Sequence, residues 1–166
     1  MSLLMAYRRQ AADRTTDIFE HLPELFAIAS ASQSIIELGV GTGRSTTAFL
    51  AGLEVSGGHL WSAEIDPQYA EPYLLGHPQW TFAIGSSLDL VDEAPTDVDV
   101  LFIDSNHDYN LTLAELTAYV PRVRSGGVVL LHDTESHQPV TQAINAFGMP
   151  WTNNPACNGL GRIDIP

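Results

Sequence analysis

"IIELGVGTGRST", residues 35–46, runs from an apolar, β-rich segment through a carboxylate into three glycines spaced G-x-G-x-G. Gly39, Gly41 and Gly43 stand where a strand gives way to a helix. Lacking a Cβ, they permit a tight turn and let a ligand approach backbone N–H groups. A plain strand-to-helix turn can use the same glycines, so the segments around the loop decide its meaning.

Outward from the loop, the apolar runs are "SIIEL" (34–38), "HLWSAEI" (59–65), "WTFAI" (80–84), "VDVLFI" (98–103) and "VVLL" (128–131). Their hydrophobicity is continuous rather than alternating, as in parallel strands covered on both faces. Between them, Leu113, Leu116, Val120 and Val123 recur at helical spacing, as do Val140, Ala143, Ile144 and Phe147. Pro139 suits a first helical turn and Gly148 a position just past the end. Ile18, Leu22, Leu25, Phe26 and Ala29 form an earlier stripe, which Pro23 is expected to split into two short helices. Strand and helix alternate, which predicts an α/β fold: a doubly wound, mostly parallel sheet with helices on both faces. Ligands of such sheets bind outside the carboxyl ends of the strands.

The chain has 166 residues and 45% hydrophobic content, which suits one domain. The expected division is a helical segment over residues 1–30, packed on a single ligand-binding domain over 31–166. Seven basic against 20 acidic residues give a formal charge of −13, which removes the usual electrostatic drive toward nucleic acid and anionic membrane. A small molecule fits better as partner. Cys157 is alone and no signal peptide or membrane span is evident, so the cytoplasm is the default compartment.

Glu64 ends the second strand, 25 residues after Gly39, where a carboxylate can take both hydroxyls of a ribose. Glu37 would place negative charge at the first loop, suited to an ammonium or sulfonium rather than to a pyrophosphate. Arg44 occupies the position where G-x-G-x-x-G needs its third glycine. Both features disfavour a nicotinamide dinucleotide.

These segments together resemble the class I S-adenosylmethionine-dependent methyltransferases. "ELGVGTG" is similar to their first cofactor motif and "SAEIDP" to their acidic second-strand motif. "AIGSS" is similar to the segment flanking the adenine, and "VDVLFIDSNHDY" and "VRSGGVVLLHDT" to the fourth and fifth strands. The resemblance runs from about residue 30 to the end. It implies that Glu37, Gly39, Gly41 and Gly43 cradle the methionine part, with Val40, Ser45 and Asp104 among the cofactor contacts. It further implies that Glu64 holds the ribose and that Ile65 and Ser86 flank the adenine. Ser86 stands where the family usually has an acidic residue. "MPWTNN" and "GLGRIDI" could supply the family's closing antiparallel hairpin. Little chain remains for a substrate lid, which leaves room for a partner subunit in a homo-oligomer.

Asp104 follows the fourth strand and Asp133 the fifth, so a parallel sheet brings both carboxylates to one edge. Such a pair invites a hard cation such as Mg2+, or serves to cap the following helices. Here the chain resembles the metal-dependent O-methyltransferases of the catechol type. His107 takes the place of that family's lysine base, and Asp133-Thr134 replaces its Asp-Asn pair. Asp104 and Asp133 are then the implied metal ligands, and His107 and Asp104 the catalytic candidates. The histidines, lacking a closely spaced partner set, are not expected to bind a transition metal. The expected function is transfer of the sulfonium methyl group to an oxygen, less favourably a nitrogen, of a small acceptor. A nicotinamide-dependent oxidoreductase and a non-catalytic cofactor-binding module are the alternatives.

Overall fold

A period of two along each strand sorts the side chains onto two faces. On β1 (Ser34–Leu38), Ile35 enters one hydrophobic cluster while Ile36 and Leu38 enter the other. β4 (Val98–Ile103) repeats the pattern: Val100 and Phe102 join Ile35, and Leu101 and Ile103 join Ile36. The computed structural model in which this is seen describes residues 2–66 and 73–166.

Among those residues the remaining strands are β2 (His59–Glu64), β3 (Trp80–Ile84), β5 (Val123–His132), β6 (Thr152–Asn154) and β7 (Leu160–Asp164). They form one sheet in the order β3-β2-β1-β4-β5-β7-β6. β3, β2, β1, β4 and β5 pair in parallel, and β7 and β6 close the sheet antiparallel as a hairpin. This is the doubly wound, mostly parallel arrangement that the alternating sequence predicts, with the closing hairpin that the family resemblance implies. At the β3 edge, Thr81 and Ile84 are exposed, so coverage of both faces stops one strand short.

Helices α1 (Leu3–Ala11), α2 (Leu22–Ala29) and α3 (Arg44–Ser56) cover the Ile35 face. Leu3, Leu22, Leu25 and Phe49 lie in that cluster, so the N-terminal segment shares the core of the sheet. α2 approaches α3 closely: a Cβ on Gly52 would lie 2.6 Å from both Ala29 Cβ and the Phe26 carbonyl oxygen. On the opposite face, α4 (Tyr109–Tyr119) and α5 (Gln138–Phe147) supply Leu116, Tyr119, Val140 and Ile144.

Two expectations fail locally. Pro23 does not split a helix; it lies in the first turn of α2, where its missing N–H has no partner to lose, and Ile18 lies outside the helix. Val123 does not extend the α4 stripe. The helix ends at Tyr119, Pro121 sits in a short 3-10 turn over Val120–Arg122, and Val123 begins β5.

The chain winds outward from β1 to β2 and β3, then returns to place β4 on the other side of β1. That reversal is the topological switch point, and it sets the loops after β1 and β4 side by side.

Candidate functional site

The carboxyl ends of β1 to β4 frame a cleft of about 420 Å³, lined by Gly39, Gly41, Glu64, Ile65, Ser86, Asp104 and His107 among others. A second hollow of about 460 Å³ shares Gly41 and Asp104 with it and is bounded by Val40, Arg44 and residues 15–18. The two loops touch tightly: a Cβ on Gly39, which has φ +89°, would lie 2.1 Å from the Asp104 carbonyl oxygen. Gly41, at φ +50°, would meet nothing within 4 Å and faces open space. Gly43, at φ +84°, stands at the N-terminus of α3 and outside the cleft lining.

Glu64 binds the loop itself. Its Oε2 accepts the N–H groups of Val40 (2.9 Å) and Gly41 (3.0 Å), and its Oε1 that of Asp66 (3.0 Å). Pro67, the last residue of the second-strand motif, lies outside the described residues. A carboxylate has about four acceptor directions, and the described residues use three of them.

Glu37 is placed differently from the sequence reading. It shares the face of Ile35, beneath α3, and is 0% exposed. Ser45 (2.6 Å) and Thr46 (2.9 Å) from α3 and Ser62 (2.7 Å) from β2 donate their hydroxyls to it. Burial pushes its pKa up to about 7 despite these three donors. The expectation that Glu37 presents its charge to a ligand is thus corrected: the side chain anchors α3 to the sheet, and Ser45 turns inward with it. Glu64 supplies the negative charge at the loop instead.

At the rim, beside His107, folding gathers five side chains. His107 Nε2 lies 2.6 Å from Asp133 Oδ2, off the line of an aligned N–H···O bond. His132 Nδ1 stands 3.4 Å from Asp104 Oδ1 and 3.4 Å from Asp133 Oδ2. His137 Nδ1 is 3.6 Å from Asp133 Oδ1, and its ring stacks on His107 with centroids 3.9 Å apart. Asp133 adopts φ +65°, a left-handed conformation that Asp tolerates better than most residues. Burial opposes ionisation of Asp133, but His107, His132 and Ser136 hold its carboxyl well below the usual range. The Asp133 contact raises the pKa of His107. Burial disfavours a charged His132, yet Asp104 and Asp133 outweigh it and push the ring up to about 11. Two carboxylates facing one Nδ1 favour its protonation, so the His132 imidazolium is the positive charge between them.

Neither aspartate is a side-chain helix cap. α4 is capped by Asp108, whose Oδ1 accepts from Asn110 N (2.9 Å) and Leu111 N (3.1 Å). α5 begins after His137 without a side-chain cap.

A family model described as a methyltransferase domain matches residues 36–134, more than half of the chain. The chain belongs to this methyltransferase family. The assignment is to the class I S-adenosylmethionine-dependent enzymes, as the motif order implies. Among solved structures, the SAH-bound methyltransferase PaMTH1 of Podospora anserina aligns with TM-score 0.73 at 14% identity, covering 100% of this chain and 88% of the other. The SAH complex of a Bacillus cereus O-methyltransferase gives 0.70 at 17%, with 98% and 88% covered. The O-methyltransferase TomG of Streptomyces achromogenes, in complex with SAM, gives 0.66 at 15%, with 87% and 80% covered. At these identities the likeness is one of fold. No match is found among curated proteins.

In this methyltransferase, sequence reasoning passed over two parts of the site. Glu115 of α4 is 0% exposed and accepts hydroxyls from Ser87 (2.6 Å) and Ser105 (2.7 Å), clamping two walls of the cleft together. Its signal was position: it precedes Leu116 and lies four residues before Tyr119, on the buried side of the helix. His137 was also missed, although "HDTESH" sets it one helical turn beyond Asp133.

Proposed function

We propose that this methyltransferase moves the sulfonium methyl of S-adenosylmethionine onto an oxygen of a small-molecule acceptor, with nitrogen as the lesser alternative. The observation that carries the reading is the placement of His107, held against Asp133, at the rim of the glycine-loop cleft. The cleft between Glu64, Ile65 and Ser86 suits the adenosine part. Ile65 is 73% exposed at its mouth and offers an apolar surface to a base. The hollow beyond Gly41 and Asp104 suits the methionine part. Its sulfonium would lie between two regions of carboxylate charge, Glu64 on one side and Asp104 with Asp133 on the other.

The reaction is an in-line displacement: the S–CH3 bond breaks as the O–CH3 bond forms, the sulfonium becomes a neutral thioether, and the acceptor's proton leaves. Asp133 favours the tautomer of His107 with its proton on Nε2, which leaves Nδ1 to receive that proton. Alignment of donor and acceptor supplies most of the acceleration. A divalent cation would be held by Asp104 and Asp133, whose carboxylates converge on His132 Nδ1 and could share an ion in place of its proton. When bound it would make the acceptor hydroxyl more acidic. Among the described residues no helix is long and apolar enough to cross a membrane. A cytoplasmic protein without nucleic-acid or membrane partners, forming a homo-oligomer if a second subunit completes the acceptor pocket, remains our reading.

Calorimetry with S-adenosylmethionine and SAH, followed by product analysis with phenolic acceptors, tests the proposal. Binding at micromolar strength is expected, and ligand at about 100 times its dissociation constant should stabilise the fold by roughly 2.7 kcal/mol. Folded protein that shows neither heat nor thermal shift with either ligand refutes it.

A further inference from the structure

His132 is the feature that the resemblance to oxygen-liganded O-methyltransferases leaves without a role. Its side chain is 2% exposed. Nε2 lies 3.0 Å from the Cys157 carbonyl oxygen and 3.2 Å from that of Asp17. Carbonyls only accept, so Nε2 carries the hydrogen, and an ion that displaces the Nδ1 proton would take up the lone pair that faces Asp104 and Asp133. A ring N–H donated to a backbone carbonyl while the other nitrogen faces carboxylates is the arrangement found around metal-ligating histidines.

The spacing supports coordination over an ion pair. A charge-assisted N–H···O bond closes to about 2.7–2.9 Å, whereas Nδ1 stays 3.4 Å from both carboxylate oxygens. Two ligand atoms on a tetrahedral ion with bonds near 2.0–2.1 Å stand about 3.3 Å apart. Asp104, His132 and Asp133 each offer one ligand atom, all within 4.8 Å of one another. Thr134, where an Asn ligand would stand in the catechol-type enzymes, gives its hydroxyl to Asn153 at 2.7 Å. The third donor at this edge is therefore an imidazole rather than an amide oxygen.

We infer that Asp104, His132 and Asp133 form a site for a borderline transition ion, Zn2+ or its spectroscopic stand-in Co2+, in preference to Mg2+. Imidazole suits such ions, while Mg2+ takes oxygen ligands in near-ideal octahedra and keeps several waters. His132 and Asp133 are 2% and 5% exposed, so the open side of the site lies at Asp104, which is 24% exposed. His107 and His137 pack against the same Asp133 carboxylate from outside and hold it in place. Only the use of the ion on an acceptor rests on the methyltransferase reading; its binding does not.

The test titrates chelator-stripped, full-length protein with Zn2+ and with Mg2+ by competition calorimetry, and with Co2+ by visible absorption. One equivalent of Zn2+ should bind at least about 100-fold more tightly than Mg2+. Co2+ should develop ligand-field bands that Zn2+ abolishes. His132→Asn, which offers an amide oxygen in place of the imidazole, should weaken Zn2+ binding at least about tenfold while circular dichroism and SAH binding persist. Should that variant not fold, Asp104→Asn, at the more exposed ligand, should show the same loss. Mg2+ binding within tenfold of Zn2+, no bound Zn2+ on folded protein, or Zn2+ affinity that survives the folded variants overturns the inference. Zn2+ lost only on His107→Ala also overturns it, placing the ion at the His107, Asp133 and His137 group. SAH binding on the same sample reports separately on the methyltransferase reading.

Discussion

Replacing Gly39 and Gly41 by alanine, one at a time, should separate the two tasks of the glycine loop. At Gly39 an added Cβ falls 2.1 Å from the Asp104 carbonyl oxygen and 2.8 Å from Ser105 Cα, both backbone atoms, at φ +89°. The left-handed conformation costs alanine about 1–2 kcal/mol. Pushing apart two packed strand ends adds about 1–3 kcal/mol. The sum is roughly 2–5 kcal/mol, and in a chain of this size each kcal/mol lowers Tm by about 2–4 °C. Gly39→Ala should therefore melt about 4–20 °C below wild type and displace Asp104 with its loop. At Gly41 nothing lies within 4 Å and φ is +50°, so only strain of about 1–2 kcal/mol applies. Its Cβ would instead intrude on the cleft, so SAH should bind about tenfold more weakly, a loss of about 1.4 kcal/mol. Differential scanning fluorimetry, with and without SAH, reads both effects. If Gly39→Ala melts within about 2 °C of wild type, the contact between the β1 and β4 loops is not rigid. If Gly41→Ala binds SAH as wild type does, the loop is not the cofactor cradle.

Glu37 gives a pH signature: with its pKa pushed up to about 7 from 4.5, the folded state holds a proton that the unfolded state releases. Its contribution to stability is full below about pH 4.5 and declines by roughly 3 kcal/mol as pH rises to about 7. Glu37→Gln should flatten that slope in urea melts, and an unchanged slope would show that Glu37 is not its source. Glu115→Ala leaves the Ser87 and Ser105 hydroxyls without their buried acceptor, so a loss of about 1–3 kcal/mol is expected. SAH affinity should fall with it and recover in part in Glu115→Gln; unchanged affinity would deny Glu115 its positioning role. His107→Ala should lower turnover by roughly 10²–10⁴-fold with SAH affinity nearly unchanged, and near-normal turnover would place the base elsewhere. Glu64→Ala removes the acceptor for three loop N–H groups as well as the candidate ribose contact, so SAH binding should weaken by about 1.5–3 kcal/mol. Wild-type affinity in that variant would refute the ribose assignment.

Local sequence decided a good part of this molecule. Period and composition located β1 to β5, because a strand buried between helix layers must be apolar along its whole length. The glycines announced the loop, because Gly39 and Gly43 need φ values that other residues resist. The closing hairpin came from the family resemblance, which pointed to two short segments near the end of the sequence. Where local signals competed, they misled: the helical spacing of Leu116 and Val120 ran on into Val123, but Pro121 broke the backbone first.

Two decisions belonged to the tertiary structure. Glu37 sits one residue before the end of β1, and only the two-residue period combined with α3 above that face turns it inward to Ser45, Thr46 and Ser62. A motif reading sees the carboxylate and its distance from the glycines, not the side of the sheet it occupies. The histidine cluster depends still more on folding. His107 and Asp133 are 26 residues apart in the chain, and no spacing rule links them. They meet because β4 and β5 are parallel neighbours, which delivers every strand-end residue to one edge, and because the carbonyls of Asp17 and Cys157 turn His132 toward them. The chain order determined which groups were present at that edge; the packing of residue 17 and the β6–β7 turn around β5 determined which atoms face one another.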